Sequence, residues 1–335
     1  MKLDGAKSVI EHFIRDCEVR PLSPYTLKNY RHHLGLLAHL LKVLCDVTDL
    51  EQVTVLHLRE CVACLLKTPL VSLASKYSDN PSPLDVNTVR AHVRVWKSFF
   101  GWCYREELIE RNPADRRLAL PKPLKKVTET FSDEHLQKIL SSCDLSTDEG
   151  YRDYIVLLLL LDTGVRLAEI GNLRLEDFHD SYIKVLGKGR KEREIGLHPE
   201  VGKMLWRYIH KFRKPVHPDE PSLFLSCGKR NRGQAFRAGG VSSLLRRIKR
   251  VTGLDVDANV RLSAHTFRHT FARMYMEQGG EILSLSRELG HSDVGTTRTY
   301  VERFGSTEAR REHTSHSPIA RLNLKKQQKR KPKRE

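Results

Sequence analysis

The sequence predicts a mainly α-helical protein with a small antiparallel β-sheet, and three observations lead there. Residues from about 7 to 113 carry apolar side chains at helical spacing with basic residues between them. A nearly continuous apolar run, Tyr151 to Leu161, stops at Asp162-Thr163-Gly164, as a buried helix closed by a tight turn would. Ser181 to Leu186 and Glu192 to Leu197 alternate in polarity around Gly187 and Gly189, the pattern of two strands joined by a hairpin.

In chain order, Ser23-Pro24 reads as a helix start, with serine capping and proline at the first helical position, followed by Leu27, Tyr30, Leu34 and Leu37 on one face. Leu50 to Leu66 is a second apolar-periodic stretch. A third helix is expected after Asn87, where Val89, Val93, Trp96 and Phe100 alternate with Arg90, Arg94 and Lys97, ending before Asn112-Pro113. Pro113 to Lys126 holds three prolines, several basic residues and little periodicity, which is linker composition. Ser132-Asp133-Glu134 then offers a helix N-terminus whose acids suit the dipole. Further helices are expected around Val241 to Val251, Phe267 to Glu277, Leu283 to Leu289 and Thr296 to Phe304, and no internal repeat is evident.

A chain of 335 residues has room for two domains with their own cores, and its formal charge of +17 favours a polyanionic partner. Anionic membranes compete for that role, but the longest apolar run, Ile155 to Leu161, is far short of the ~20 residues that span a bilayer. No N-terminal signal-peptide layout is present, so a soluble cytoplasmic protein is expected. The seven cysteines are odd in number and scattered, unlike a disulfide framework. Cys61-Val62-Ala63-Cys64, with His57 before it, is the sole Cys-x-x-Cys; lacking a second ligand pair, it reads as small residues packed on a helix. Gly187-Lys188-Gly189 falls short of a phosphate-loop motif, and His265 and His269 lack the glutamate of His-Glu-x-x-His, so neither nucleotide nor metal is expected. From Val301 onward there are eleven Lys or Arg against four Glu, a tail suited to nonspecific attraction to phosphates.

The chemistry is concentrated in Ala264-His265-Thr266-Phe267-Arg268-His269-Thr270, then Gly290-His291-Ser292, then Thr299-Tyr300. A phosphodiester under displacement spreads negative charge over its non-bridging oxygens, which a guanidinium fork matches. A phenol is a poor nucleophile at its free pKa of about 10 and needs a neighbour to take its proton. His265 and His291 are the nearby candidates, and the three-residue step from His265 to Arg268 is one helical turn.

In these residues the chain resembles the tyrosine recombinase family, the lambda integrase and Xer group of site-specific DNA recombinases. That family carries His-x-x-Arg, then Gly-His, then a nucleophilic tyrosine nine residues on, as from His291 to Tyr300 here. It also carries an arginine in a Thr-Gly-apolar-Arg-x-x-Glu turn and a hairpin lysine, matched by Thr163 to Glu169 and by Gly187-Lys188-Gly189. Ala168 departs from the small polar residue frequent there.

The resemblance implies six catalytic residues: Arg166, Lys188, His265, Arg268, His291 and the nucleophile Tyr300. Arg166 and Arg268 would clamp the scissile phosphate, and Lys188 would protonate the leaving 5′-oxygen, with Lys184 and Lys191 as rivals on the same hairpin. His265 would be base or phosphate ligand and His291 a phosphate donor; Glu169 is secondary, orienting Arg166, helping to position Lys188, or pairing with Arg166 as a plain i,i+3 ion pair. No cofactor is implied, since a phosphotyrosyl ester conserves the bond energy for rejoining.

The implied domains are a SAM-like helical core-binding domain (1–115), a linker (116–128), the catalytic domain (129–308) and a basic tail (309–335). In that tail Ile319, Leu322 and Leu324 would either dock on a neighbouring protomer or pack in cis. Arg90, Arg94 and Lys97, together with the Val241 helix, are the candidate contacts to double-stranded DNA. A homotetramer on DNA, or a heterotetramer with a related recombinase, is the implied assembly, nucleoid-associated in the cytoplasm. The near-immediate helical start is expected to leave no room for an arm-binding domain and favours a simple Xer-like recombinase, or a transposon or plasmid recombinase acting on short inverted repeats. A type IB topoisomerase-like relaxing enzyme and a DNA-binding accessory protein are the rival readings.

Overall fold

The computed structural model describes residues 1–3, 8–20, 22–73, 81–123, 130–187, 191–254 and 260–290. The chain divides into two compact units, residues 1–126 and 127–335.

The first unit is helical: α1 (Val9–Val19), α2 (Pro24–Cys45), α3 (Val55–Lys67) and α4 (Val86–Arg105). Serine or threonine caps begin the first three. Ser8 accepts from the Glu11 N–H, Ser23 from Thr26, and Thr54 from His57, whose ring in turn accepts from the Thr54 N–H at 3.3 Å. His57 is thus a helix cap, while Cys61 is buried and Cys64 partly buried in α3. Among the described residues no group of His, Cys, Asp and Glu could hold a metal ion. Helix α4 begins one residue before Asn87 because Asp85 caps it through the Asn87 N–H.

Trp96, Phe99 and Phe100 of α4 are fully buried, and Phe13 of α1 meets the Phe99 ring edge-on at 5.5 Å. Aromatic anchors of this size each bury a large apolar area, which holds the four helices together. Arg90 donates to the Pro121 carbonyl, and Lys97 to those of Ala114 (3.2 Å) and Asp115 (2.7 Å), so both basic side chains tie the outgoing chain to α4. Arg94 faces solvent.

The second unit opens with α5 (Asp133–Ser141), capped by Ser132, and α6 (Asp148–Thr163), capped by Thr147 and ended by Gly164 at φ 59°. A Cβ at Gly164 would come within 2.5 Å of the Phe271 ring, so only glycine satisfies both the left-handed turn and the close approach. The four-residue helix α7 (Leu167–Ile170) follows, and then an antiparallel sheet of order β1-β2-β3: β1 (Phe178–His179), β2 (Tyr182–Leu186) and β3 (Glu192–Gly196). The short β1 escapes the sequence pattern, since two residues show no alternation. Helices α8 (Pro199–Arg207), α9 (Ala238–Thr252), α10 (Ala264–Glu277) and α11 (Ile282–Leu289) complete the described residues. Helix α8 also goes unpredicted, although His198 caps it and Pro199 occupies its first turn.

The central helix is α6, with Ile155, Val156, Leu157, Leu159 and Leu160 all fully buried. Helix α10 packs along it, and the Thr270 hydroxyl of α10 accepts from the Phe131 N–H at 2.9 Å, fixing the start of the unit. Asp153, fully buried on α6, pairs with Arg152 at 2.6 Å and with Arg247, which ties α9 to the same helix. Lys188, His291, Tyr300 and the tail lie outside the described residues.

His33 and His92 face each other in the first unit, Nδ1 to Nδ1 at 2.8 Å, with His92 buried. Burial first, and then neighbouring imidazoles, lower the pKa of His33 to about 4 and of His92 to about 3. A histidine with a folded pKa below its unfolded value stabilises fully above the latter, and the contribution is lost as pH falls through the folded value. Thermal unfolding followed by Trp96 and Trp102 fluorescence, in a Trp206→Phe background, should show a midpoint that falls from pH 6.5 toward pH 4. The His33→Leu, His92→Leu pair should flatten that limb; a wild-type midpoint unchanged over this range would contradict the assignment.

Candidate active site

Four of the seven residues predicted for the active site, Arg166, Glu169, His265 and Arg268, are described, and the second unit brings them together at the ends of α6, α7, α10 and α11. Arg166 stands just after the Gly164 turn as the residue capping α7, and Glu169 sits one turn on. The Glu169 carboxylate accepts from the Arg166 backbone N–H (2.9 Å) and from its Nη1 (2.9 Å), the capping geometry the three-residue spacing allows. The side chain of Glu169 is only 4 % exposed, whereas that of Arg166 is 40 % exposed and open to a ligand.

The second cation on Glu169 is Arg193 of β3, a residue the sequence analysis passed over. Its Nη1 and Nη2 donate to Oε1 (2.9 Å) and Oε2 (2.8 Å), a bidentate fork. Strand register explains how it gets there: Arg193 pairs with Val185, and its side chain shares the inward face with Ile195. An arginine in step with Ile195 and Leu197 on a half-buried strand was the available signal. Burial acts to raise the pKa of Glu169, but the Arg193 fork and the Arg166 N–H outweigh it and bring the group down to about 2.

Arg268 is buried on α10 and donates Nη1 to the Gly164 carbonyl (2.8 Å) and Nη2 to that of Leu289 (2.6 Å). Arg193 Nε donates to the Glu288 carbonyl (2.7 Å), and Arg166 Nη2 to that of Gly290 (3.3 Å). The last carbonyls of a helix have no partner within it and carry the negative end of its dipole. Here three consecutive ones, at the end of α11, are each met by a guanidinium from a different element. Gly290 caps α11 at φ 62°, and a Cβ there would lie 2.9 Å from the Arg193 guanidinium.

His265, in the first turn of α10, is exposed, with its ring 4.2 Å from that of His269. Partial burial first, and then the charges of Arg268 and Arg166, lower its pKa below 6.5. That direction favours the neutral ring, the form able to accept a proton, beside two guanidinium groups. A cation-lined site beside an imidazole suits a phosphodiester under attack.

The chain is similar to known proteins over most of its length. The model of the Phage integrase family matches residues 129–305, more than half of the chain. The chain belongs to the phage integrase family. Among its relatives, tyrosine recombinase XerC of Oceanobacillus iheyensis is 30 % identical over 299 residues, covering 87 % of this chain and 90 % of that protein. The Tn1549 transposon integrase, solved with transposon right end DNA, superposes with a TM-score of 0.67 at 18 % identity, over 92 % of this chain and 99 % of that one. A lambda integrase tetramer bound to a Holliday junction gives a TM-score of 0.63 at 16 % identity, over 85 % of this chain and 76 % of that one. These likenesses establish the mainly helical fold with its small sheet, and family membership makes this a tyrosine-type DNA strand-transferring enzyme. Among the described residues no helix is long and apolar enough to cross a membrane.

Glu169→Gln removes the anion and keeps the shape, leaving two cations against a neutral amide. A loss of about 3–5 kcal/mol is expected for breaking a buried pair of this kind. Because the folded pKa is depressed, the stabilisation is present above about pH 4.5 and lost as pH falls toward 2. Urea unfolding of both proteins should therefore show a constant gap from pH 7 to 4.5 that closes below it; equal stability at pH 7 would contradict the assignment.

Proposed function

We propose that this protein is a site-specific recombinase that cuts and rejoins duplex DNA through a 3′-phosphotyrosyl intermediate on Tyr300. The observation that carries the reading is the convergence of Arg166, Arg268 and His265 with the end of α11, directly before His291. The Tyr300 phenol loses its proton to His265 and its oxygen bonds to phosphorus, while the bond from phosphorus to the 5′-oxygen breaks. Lys188 gives that oxygen its proton. Arg166 and Arg268 bind the non-bridging oxygens, a stabilisation felt mostly in the transition state, and His291 adds a donor. Return of a 5′-hydroxyl from another strand reverses the step, so no cofactor is needed.

In the same reading, residues 1–115 grip the duplex, 116–128 connect, 129–308 cut and rejoin, and 309–335 are exchanged between protomers. Arg94 reaches the DNA from α4, while Arg90 and Lys97 chiefly hold the outgoing chain and shape that surface. Exchange requires four protomers on two sites, a homotetramer or a heterotetramer with a related recombinase, acting on nucleoid DNA in the cytoplasm.

Nicked suicide duplexes tiled through the DNA flanking the gene provide the test. A denaturation-resistant protein–DNA adduct should form with the wild type and vanish in Tyr300→Phe. Relaxation of supercoiled circles irrespective of sequence would instead indicate a topoisomerase, and tight binding without adduct an accessory protein.

The role of Lys188 has its own check. Lys188→Ala should slow cleavage by roughly 10²–10⁴. A 5′-bridging phosphorothiolate should restore the rate, because a thiol with a pKa of about 8.5 leaves without a proton. No restoration would move the acid to another residue, Lys184 or Lys191 first.

A further inference from the structure

Arg193 lies outside the six matched positions, yet it touches the residue just before each of two of them. Its guanidinium holds both oxygens of Glu169 and, through Nε, the carbonyl of Glu288. It is also pressed between two glycines. A Cβ at Gly187 would lie 3.4 Å from Nη1, and a Cβ at Gly290 would lie 2.9 Å from Nη1, Nε and Cζ. The residue after Gly187 is Lys188, and the residue after Gly290 is His291. The side chain is 12 % exposed, so little of the group is left to solvent.

From this placement we infer that Arg193 is a positioning residue for the strand-transfer reaction. It fastens the base of the β2–β3 hairpin and the end of α11 to the carboxylate that orients Arg166. The inference rests on the recombinase reading above. Arg193 itself touches no reacting atom: with three donors committed, its task is to fix where the two backbone segments leave the pocket. Lysine cannot replace it, because a single ammonium lacks the planar fork that reaches two carboxylate oxygens and a carbonyl at once. Gly290 is required by the same contact, since any side chain there would displace the guanidinium.

A misplacement of about 1 Å is enough to cost on the order of 10²-fold in rate, which sets the scale of the test. Arg193→Lys and Arg193→Gln are compared with the wild type on whichever nicked duplex from the flanking DNA yields the covalent adduct. Single-turnover adduct formation is measured at saturating DNA, together with DNA affinity and thermal midpoint. Arg193→Lys keeps charge and bulk, so the folded state is retained. The expected result is an adduct rate constant lower by about tenfold or more, with final amplitude and affinity within about twofold of wild type. Arg193→Gln should be slower still, with faster amide hydrogen exchange in residues 282–290 and unchanged protection in α6.

Either variant cleaving within about twofold of the wild-type rate constant would overturn the inference. So would a loss confined to amplitude at an unchanged rate constant, the mark of fewer folded molecules and nothing more. Failure of the wild type to form any adduct that depends on Tyr300 would instead overturn the recombinase reading, and this assignment with it.

Discussion

The carboxylate of Glu169 is nearly shut off from water and accepts four hydrogen bonds from two arginines among the described residues. A lone buried carboxylate would neutralise itself; this one is kept ionised because Arg193 and Arg166 return more than desolvation takes away. Its charge then serves as the fixed point against which cations are arranged. Arg166 gains a defined direction, β3 is fastened toward α7, and the guanidinium of Arg193 is brought against α11.

Around that point the fold supplies rigid ends. The apolar length of α6 fixes where Gly164 turns, and the turn decides where Arg166 begins. Helix α10, packed along α6, carries His265 and Arg268 one turn apart, and Arg268 links the Gly164 carbonyl to the Leu289 carbonyl. Helix α11 therefore ends against three guanidinium groups that complement both its unpartnered carbonyls and its dipole. Two of the three are those proposed to meet the phosphate. A ligand phosphate that draws Arg166 or Arg268 would compete with the carbonyls at 164, 289 and 290, so substrate binding and the placement of the α11 terminus are coupled through the same donors.

Much of this was readable in the sequence, because the informative signals were local. Ser23-Pro24 and Ser132 announce helix starts, the apolar run to Leu161 announces α6, and the glycines at 187 and 189 announce the hairpin. The motif residues Arg166, His265 and Arg268 were legible through their spacing. Arg193 was not, because an arginine on a short strand looks like a solvated charge until register shows that it shares a face with Ile195. Arg90 and Lys97 illustrate another gap: basic residues on an amphipathic helix suggest DNA contacts, and the hydrogen bonds by which they also hold the carbonyls at 121, 114 and 115 are tertiary and leave no mark in the pattern. Strand β1 was invisible for a simpler reason, being too short to show a period, whereas helix α8 carried a legible start at Pro199 and buried Val201 and Leu205 at helical spacing that went unread.

The most direct test of the central claim is a crystal structure of the protein covalently trapped on a nicked duplex. Arg166 and Arg268 should lie within hydrogen-bonding distance of the phosphate attached to Tyr300, with Arg193 still forked onto Glu169. A phosphate bound elsewhere, with Arg166 and Arg268 left on the carbonyls of 164, 289 and 290, would contradict it.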